Sequence, residues 1–302
     1  MIVAMFPGQG SQFVGMGAAL ADAFPTARHT FEEADDVLGY ALSEVCFEGP
    51  SDQLTRTDVC QPALVAASTA AFRVAQEEAG LAPGMVIGHS LGEYSALVAA
   101  GAMDFAEALR IVAERGAAMR AAGVATPGAM AAVLGMEDDE VRALAEETGD
   151  AWPANYNCPG QVVVSGTLAA IDRLIVLAGE RGGRAARLVV DGAFHSPLVA
   201  PAAERLRPVL DAWEPATADP PFLSTTTVAV EPPERMREVL LDQVTAPVRF
   251  GDGARAALDA GAERFVEVGP GKVLSGLVRR VQRGVAVGQV VEPADVDALA
   301  AA

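Results

Sequence analysis

The chain opens on a short apolar run, Met1 to Phe6, stopped by the turn residues Pro7-Gly8-Gln9-Gly10-Ser11. A brief continuous apolar segment closed by such residues reads as a buried strand. Residues 17–38 then read as helical, Gly49-Pro50 breaks the chain, and 62–79 reads as a long Ala-rich helix. A second apolar strand, Met85-Val86-Ile87-Gly88, runs directly into His89-Ser90-Leu91-Gly92, and residues 92–100 and 104–122 return to helical spacing. Strand, tight turn and helix in that order is the rhythm of an α/β protein with a parallel sheet.

The texture changes after Gly123. A loop over 125–128 leads to a strand (129–134), a helix (137–148), a strand (151–156), a β-rich run (161–165), a helix (168–181) and a strand (185–190). The order β-α-β-β-α-β is ferredoxin-like. Residues 126–193 are therefore expected to form a small inserted subdomain, and 1–125 with 194–302 a large domain. In the large part the pattern predicts helices over 197–213, 232–242 and 251–260 and strands over 222–227 and 264–268. The loop Gly269-Pro270-Gly271-Lys272 opens a further helix over 273–283, and the Ala/Asp-rich tail from Glu292 is expected to fray.

Composition narrows the possibilities. With 302 residues, 51% of them apolar, the chain can bury one large core or two modest ones. Acids outnumber bases 40 to 22, a formal charge of −18. That argues against nucleic-acid binding, which rests on Lys and Arg neutralising phosphates. Cys46, Cys60 and Cys158 lie far apart with no CxxC pair, so idle thiols are expected rather than disulfides or a zinc site. The first charge is Asp22, but the preceding run is punctuated by Pro7, Gly8, Gly15 and Gly17 and lacks a basic start. It fits neither a secretory leader nor a spanning helix, and a cytoplasmic protein is expected.

Gly88-His89-Ser90-Leu91-Gly92 fits G-x-S-x-G between a strand and a helix. In that context the glycines allow a sharp turn that lifts the serine oxygen clear, and the N–H of Leu91 is free to hold an oxyanion. Such a serine needs a base, and only His29, His89 and His195 exist. His29 reads as a solvated helix residue. His89 is adjacent to Ser90, where side chains diverge, so it packs beside the site. His195, in the loop Gly192-Ala193-Phe194-His195-Ser196-Pro197, is left as the base. Its orienting partner is open between Asp191 and a backbone carbonyl. The turn after the first strand should reach the same sheet edge, which makes the Gln9 amide the candidate second oxyanion donor.

These residues bring a family into view. The chain resembles the malonyl-CoA:acyl carrier protein transacylases and polyketide synthase acyltransferases. The markers are Phe6-Pro7-Gly8-Gln9-Gly10-Ser11-Gln12, Gly88-His89-Ser90-Leu91-Gly92-Glu93, Arg115-Gly116 with Met119, and Gly128-Ala129-Met130. They continue with Asn155-Tyr156-Asn157-Cys158-Pro159-Gly160-Gln161, Ala193-Phe194-His195-Ser196 and Glu267-Val268-Gly269-Pro270-Gly271-Lys272-Val273-Leu274, in the family's order over about residues 3–283. The resemblance implies an α/β-hydrolase-like large domain with an inserted ferredoxin-like subdomain. It implies Ser90 as the acylated nucleophile, His195 as base, and Gln9 and Leu91 as oxyanion donors. A backbone carbonyl, assigned to Arg249 in Pro247-Val248-Arg249-Phe250, would orient the histidine in place of Asp191. Arg115 would pair with the substrate's free carboxylate, a geometry guanidinium matches bidentately. Phe194 would fill the space of an α-methyl group. Met119, Asn157 and Gln161 would line or brace the site, and Glu93 would cap the helix after the elbow. Two departures stand out. Many relatives carry Ser-Asn where this chain has Ser224-Thr225, and many carry Gln where Arg249 is placed.

The implied activity is ping-pong malonyl transfer from malonyl-CoA to an acyl carrier protein in fatty acid or polyketide synthesis. It would proceed with no metal or bound cofactor, and by a monomer. The alternatives are an acyl hydrolase of loaded carriers, a docking domain and a generic lipase. Arg115 argues against the hydrolase, the complete Ser90–His195–Arg115 set against the docking domain, and the carboxylate binder with no lid helix against the lipase. Carrier proteins are acidic, as this chain is, so a local basic patch is needed. Lys272, Arg279, Arg280 and Arg283 form the densest basic stretch and are the candidate carrier or CoA contact.

Overall fold

The computed structural model describes residues 1–301. The final residue of the expected large domain, Ala302, lies outside the described residues. The strands are β1 (Ile2–Phe6), β2 (Met85–Gly88), β3 (Gly128–Leu134), β4 (Ala151–Cys158), β5 (Gln161–Thr167), β6 (Arg184–Arg187), β7 (Phe222–Ser224), β8 (Ala229–Val230), β9 (Arg264–Val268) and β10 (Ala286–Val290). Val3 and Met5 of β1 point to one side of a sheet, with Ile87 and Phe265; Ala4 and Phe6 point to the other, with Val86 and Val266. This two-residue period with both faces buried is what a helix-covered parallel sheet requires.

The large sheet has the order β10-β9-β1-β2-β7-β8, parallel except for β8. Phe6 pairs with Gly88, so the loops after β1 and β2 leave from the same edge. The helix Thr57–Ala79 is buried on most of its surface and its small Ala side chains let neighbouring helices approach closely. The second sheet is antiparallel, in the order β4-β5-β3-β6, the strand order of a ferredoxin-like unit. It lies wholly between Gly128 and Arg187. Ala129, Ala131 and Val133 of β3 build this unit's own core, whereas Met130 faces the large domain.

Three sequence expectations are corrected. The helix over 17–38 is two helices, Ala18–Ala23 and Pro25–Leu38, because Phe24 is extended (φ −126°, ψ 121°). The ring of Pro25 excludes the helical conformation at the residue before it. The strand over 222–227 stops at Ser224, where the backbone N–H of Thr225 turns to a side-chain acceptor instead of the ladder. The tail does not fray. β10 adds to the sheet edge, and the helix Pro293–Ala300 follows with a capping box formed by Glu292 and Asp295. Val296 and Leu299 are buried against the helix Thr57–Ala79, apolar anchors hidden by the polar residues around them.

A charge at one of those anchors should therefore be costly. Val296→Asp is expected to lower stability by about 3 kcal/mol in urea unfolding. A wild-type midpoint would remove the tail from the core.

Candidate active site

The elbow after β2 exists because of its glycines. A Cβ on Gly88 would lie 2.1 Å from the Glu93 nitrogen, and one on Gly92 would lie 2.0 Å from the Phe6 carbonyl oxygen. Strand and helix can pack this closely only with glycine at both places. Between them Ser90 sits at φ 51°, a left-handed conformation that presents its hydroxyl above the sheet edge. His195 is also left-handed, at φ 57°. Strain at both reacting residues is held by their surroundings. For His195 these are Ser196, whose hydroxyl donates to Ala193 O (2.6 Å), and Ser165 of β5, which donates to the Phe194 carbonyl.

Ser90 Oγ lies 2.8 Å from His195 Nε2. On the far side of the ring, Nδ1 faces the carbonyls of Gln243 (2.8 Å) and Ala246 (3.1 Å). Carbonyls only accept, so Nδ1 carries the hydrogen and Nε2 is left with its lone pair toward the serine. The assignment of Arg249 to this role is corrected. Its carbonyl is used by the Gly253 N–H (2.9 Å) as the first bond of the helix Phe250–Asp259, and its N–H donates to Thr225 O. The turn after the helix Pro233–Asp242 supplies the acceptors instead. Asp191 is engaged by Thr57, through Oγ1 (3.2 Å) and N–H (3.3 Å).

Arg115, on the helix Phe105–Ala125, is 1% exposed. Its Nη1 donates to Gln61 Oε1 (2.8 Å), and its Nη2 donates to Gln243 Oε1 (3.0 Å) and to Ser90 Oγ (3.3 Å). The guanidinium sits 5.6 Å from the Tyr94 ring centre. Nε has no partner, and no carboxylate pairs with the group among the described residues. A cavity of about 90 Å³ brings together Gln9, Ser90, Leu91, Arg115, Met119, Phe194 and His195. The amides of Gln9 and Leu91 bond to no backbone acceptor among the described residues. A nucleophile, a base, free amides and an unpaired cation in one cavity suit acyl transfer with an anionic acyl group.

Electrostatics bear on the base. Burial, and then the Arg115 cation, push the His195 pKa down to about 3. Burial pushes the Glu93 carboxyl up to about 7, against four donors that favour its charged form. Glu93 does not cap the helix, as its sequence position suggested. It turns away, to Ser224, Thr225 and Gln243. His89 stands beside the site with Nε2 2.8 Å from Asn157 Oδ1, and His29 is exposed on its helix.

Other sequence candidates separate. Asn157 acts on His89 and lines a groove of about 150 Å³ that shares Gln9, His89, Asn155 and Leu188 with the cavity of Ser90. Gln161 is corrected: it is not among the cavity residues and instead accepts from Arg280 Nη1 (2.8 Å). Arg280 also donates to the Pro159 carbonyl (3.0 Å), which ties it to the turn between β4 and β5. Lys272 opens the helix Val273–Val281, whose Val273, Leu274 and Leu277 line the groove; Arg279 and Arg283 are exposed farther along. Met130 and Asn155 stand in the family's markers without a role assigned to them, and Gln61, Leu188, Val190 and Gln243 have no place in the sequence reading. Gln61 had a signal, an amide within an otherwise apolar helix run. Gln243 had none.

A family model for the acyl transferase domain matches residues 3–297. The malonyl CoA-acyl carrier protein transacylase of Bacillus subtilis (strain 168) is 44% identical, over 98% of this chain and 95% of its own. That of Escherichia coli (strain K12) is 41% identical, over 92% and 91%. A solved structure of a malonyl-transacylase in complex with its type II PKS acyl-carrier protein superposes with a TM-score of 0.96 at 39% identity, covering 99% of both chains.

The depressed pKa of His195 has a measurable sign. The neutral imidazole is the base, and it stays neutral far below the ordinary 6.5. Labelling of Ser90 by a fluorophosphonate is expected to hold its rate from about pH 8 to about pH 5, where an ordinary imidazole would lose about 30-fold. A fall of that size would show a base of normal pKa.

Proposed function

The chain belongs to the acyl transferase domain family, and we propose that it moves a malonyl group from malonyl-CoA to the phosphopantetheine thiol of an acyl carrier protein. The observation that carries this reading is the Arg115 guanidinium, buried without a carboxylate partner and 3.3 Å from Ser90 Oγ. A simple acyl group would leave that cation unpaired, whereas a malonyl carboxylate completes it.

In the first half-reaction the malonyl carboxylate pairs with Arg115 and the thioester carbonyl faces Ser90. His195 Nε2 takes the serine proton as Oγ attacks the carbonyl carbon. The amides of Gln9 and Leu91 hold the oxyanion. The C–S bond breaks, CoA leaves with the proton from His195, and malonyl-Ser90 remains. In the second half the carrier's thiol gives its proton to His195 and attacks the ester, and Ser90 recovers a proton as it leaves. Every step uses only this chain's own groups and the two thiols. Phe194 and Met119 form apolar wall beside the acyl group. We divide the chain into a catalytic part, 1–125 with 194–302, and a small part, 126–193, whose Met130 and Asn155 close the cavity from above. Lys272, Arg279, Arg280 and Arg283 are assigned to the acidic carrier or the CoA phosphates. Lys272 has the strongest support, because it adjoins the groove.

Intact-mass measurement after mixing with malonyl-CoA is expected to show a malonyl adduct that Ser90→Ala abolishes. Arg115→Ala is expected to lower malonyl loading about 100-fold relative to acetyl loading. An adduct that persists in Ser90→Ala, or release of free malonate in place of transfer to the carrier, overturns the reading. Lys272→Glu is expected to raise KM for the carrier or for malonyl-CoA several-fold at low salt, with the effect shrinking as salt rises. Unchanged values for both remove that helix from the docking face.

A further inference from the structure

Glu93 is a fully buried carboxylate that the proposed steps leave unused. It directly follows the elbow glycine Gly92. Its Oε1 accepts from the Ser224 hydroxyl (3.0 Å), the Thr225 N–H (2.5 Å) and the Thr225 hydroxyl (2.8 Å). Its Oε2 accepts from Gln243 Nε2 (2.6 Å). Gln243 is itself fully buried and touches the reacting groups at three points. Its Nε2 also donates to the Ser90 carbonyl (3.1 Å), its Oε1 accepts from Arg115 Nη2 (3.0 Å), and its main-chain oxygen accepts from His195 Nδ1 (2.8 Å).

A carboxylate can only accept. Gln243 must therefore turn its NH₂ toward Glu93, which leaves its oxygen for Arg115. Without Glu93, only the longer bond to the Ser90 carbonyl would oppose a flip that presents the amide's N–H to Arg115. The arrangement also solves a charge problem. A buried guanidinium needs a negative charge nearby. A carboxylate in direct contact would form the bidentate pair that a substrate carboxylate needs. With one glutamine amide between them, Glu93 offsets the cation while Arg115 Nε keeps no partner.

We propose that Glu93 is a positioning residue for carboxylate recognition: through the Gln243 amide it orients Arg115 and supplies its counter-charge at one remove. This rests on the reading that Arg115 binds the malonyl carboxylate. Since burial pushes Glu93 up to about 7, the test belongs at about pH 8, where its charged form prevails.

Wild type, Glu93→Gln and Gln243→Met are loaded with malonyl-CoA and with acetyl-CoA, and Ser90 is labelled with a fluorophosphonate in parallel. Glu93→Gln is expected to lower the malonyl-to-acetyl ratio of kcat/KM by about 10-fold, mostly through KM for malonyl-CoA. Fluorophosphonate labelling should stay within about 3-fold, since it needs Ser90 and His195 but no carboxylate site. A merely structural role would lower both donors together and leave the ratio intact, which overturns the proposal. Gln243→Met keeps three of the four bonds to Glu93 but removes its link to Arg115 and is expected to lower the ratio likewise; an intact ratio in this variant overturns the proposal even if Glu93→Gln does not fold. Glu93→Asp, which keeps the charge, should retain more of the ratio than Glu93→Gln. If wild type shows no preference for malonyl, the Arg115 reading fails and this role with it. If wild type prefers malonyl and the variants keep that preference, only the Glu93 assignment falls.

Discussion

A guanidinium buried without a carboxylate sets the terms for everything around it. Taking such a charge out of water costs several kcal/mol unless polar groups replace the solvent. The groups in direct contact are neutral, the side-chain oxygens of Gln61 and Gln243 and the face of Tyr94, with the Glu93 carboxylate one amide away. They hold Arg115 in place without using up its charge. The same cation reaches the base, since it lies beside Ser90 and adds to the burial that keeps His195 neutral. In the proposed reaction a malonyl carboxylate would cancel that field, so the correct substrate would strengthen the base that acts on it. Selectivity and reactivity are thus two consequences of one buried charge.

The fold serves this site by bringing short, rigid pieces to one edge. β1 and β2 end side by side and deliver the Gln9 loop and the Ser90 elbow. The helix Gly92–Ala99 begins at the elbow, and its N-terminal field favours negative charge there. The small sheet covers the cavity from the other side, with Met130 and Asn155 in its wall, and the segment 188–192 crosses back to the His195 loop. That segment fits because Gly123 leaves room for it: a Cβ there would lie 2.2 Å from the Asp191 carbonyl oxygen. The result is a small cavity whose reacting residues are held in left-handed conformations they would not adopt alone.

The sequence misled where a role depends on backbone or on direction. A carbonyl that holds a histidine can belong to any residue, so the Gln that relatives carry there is outweighed by the match of Pro247-Val248-Arg249-Phe250, and only the structure moves the role from Arg249 to Gln243. Gln161 and Asn155 lie in adjacent strands, and only the alternation of the sheet, shifted by irregularities between Pro153 and Asn155 and between Tyr156 and Cys158, decides which one reaches the cavity. The tail from Glu292 reads as loose because it is short and Ala-rich. It is ordered because β10 finds the sheet edge and Val296 and Leu299 find a buried surface, contacts made with residues far earlier in the chain.

The sequence by itself determined the α/β order, the ferredoxin-like insert, the nucleophile elbow and, with three histidines to choose from, the base. Those features are written in local periodicity, in glycine placement and in scarcity. The tertiary structure decided which carbonyls hold His195, how Gln61 and Gln243 support Arg115, and that Glu93 belongs to that network rather than to a helix cap. These are contacts between residues from about 50 to about 150 positions apart. They depend on distance and direction after packing, which no local pattern encodes.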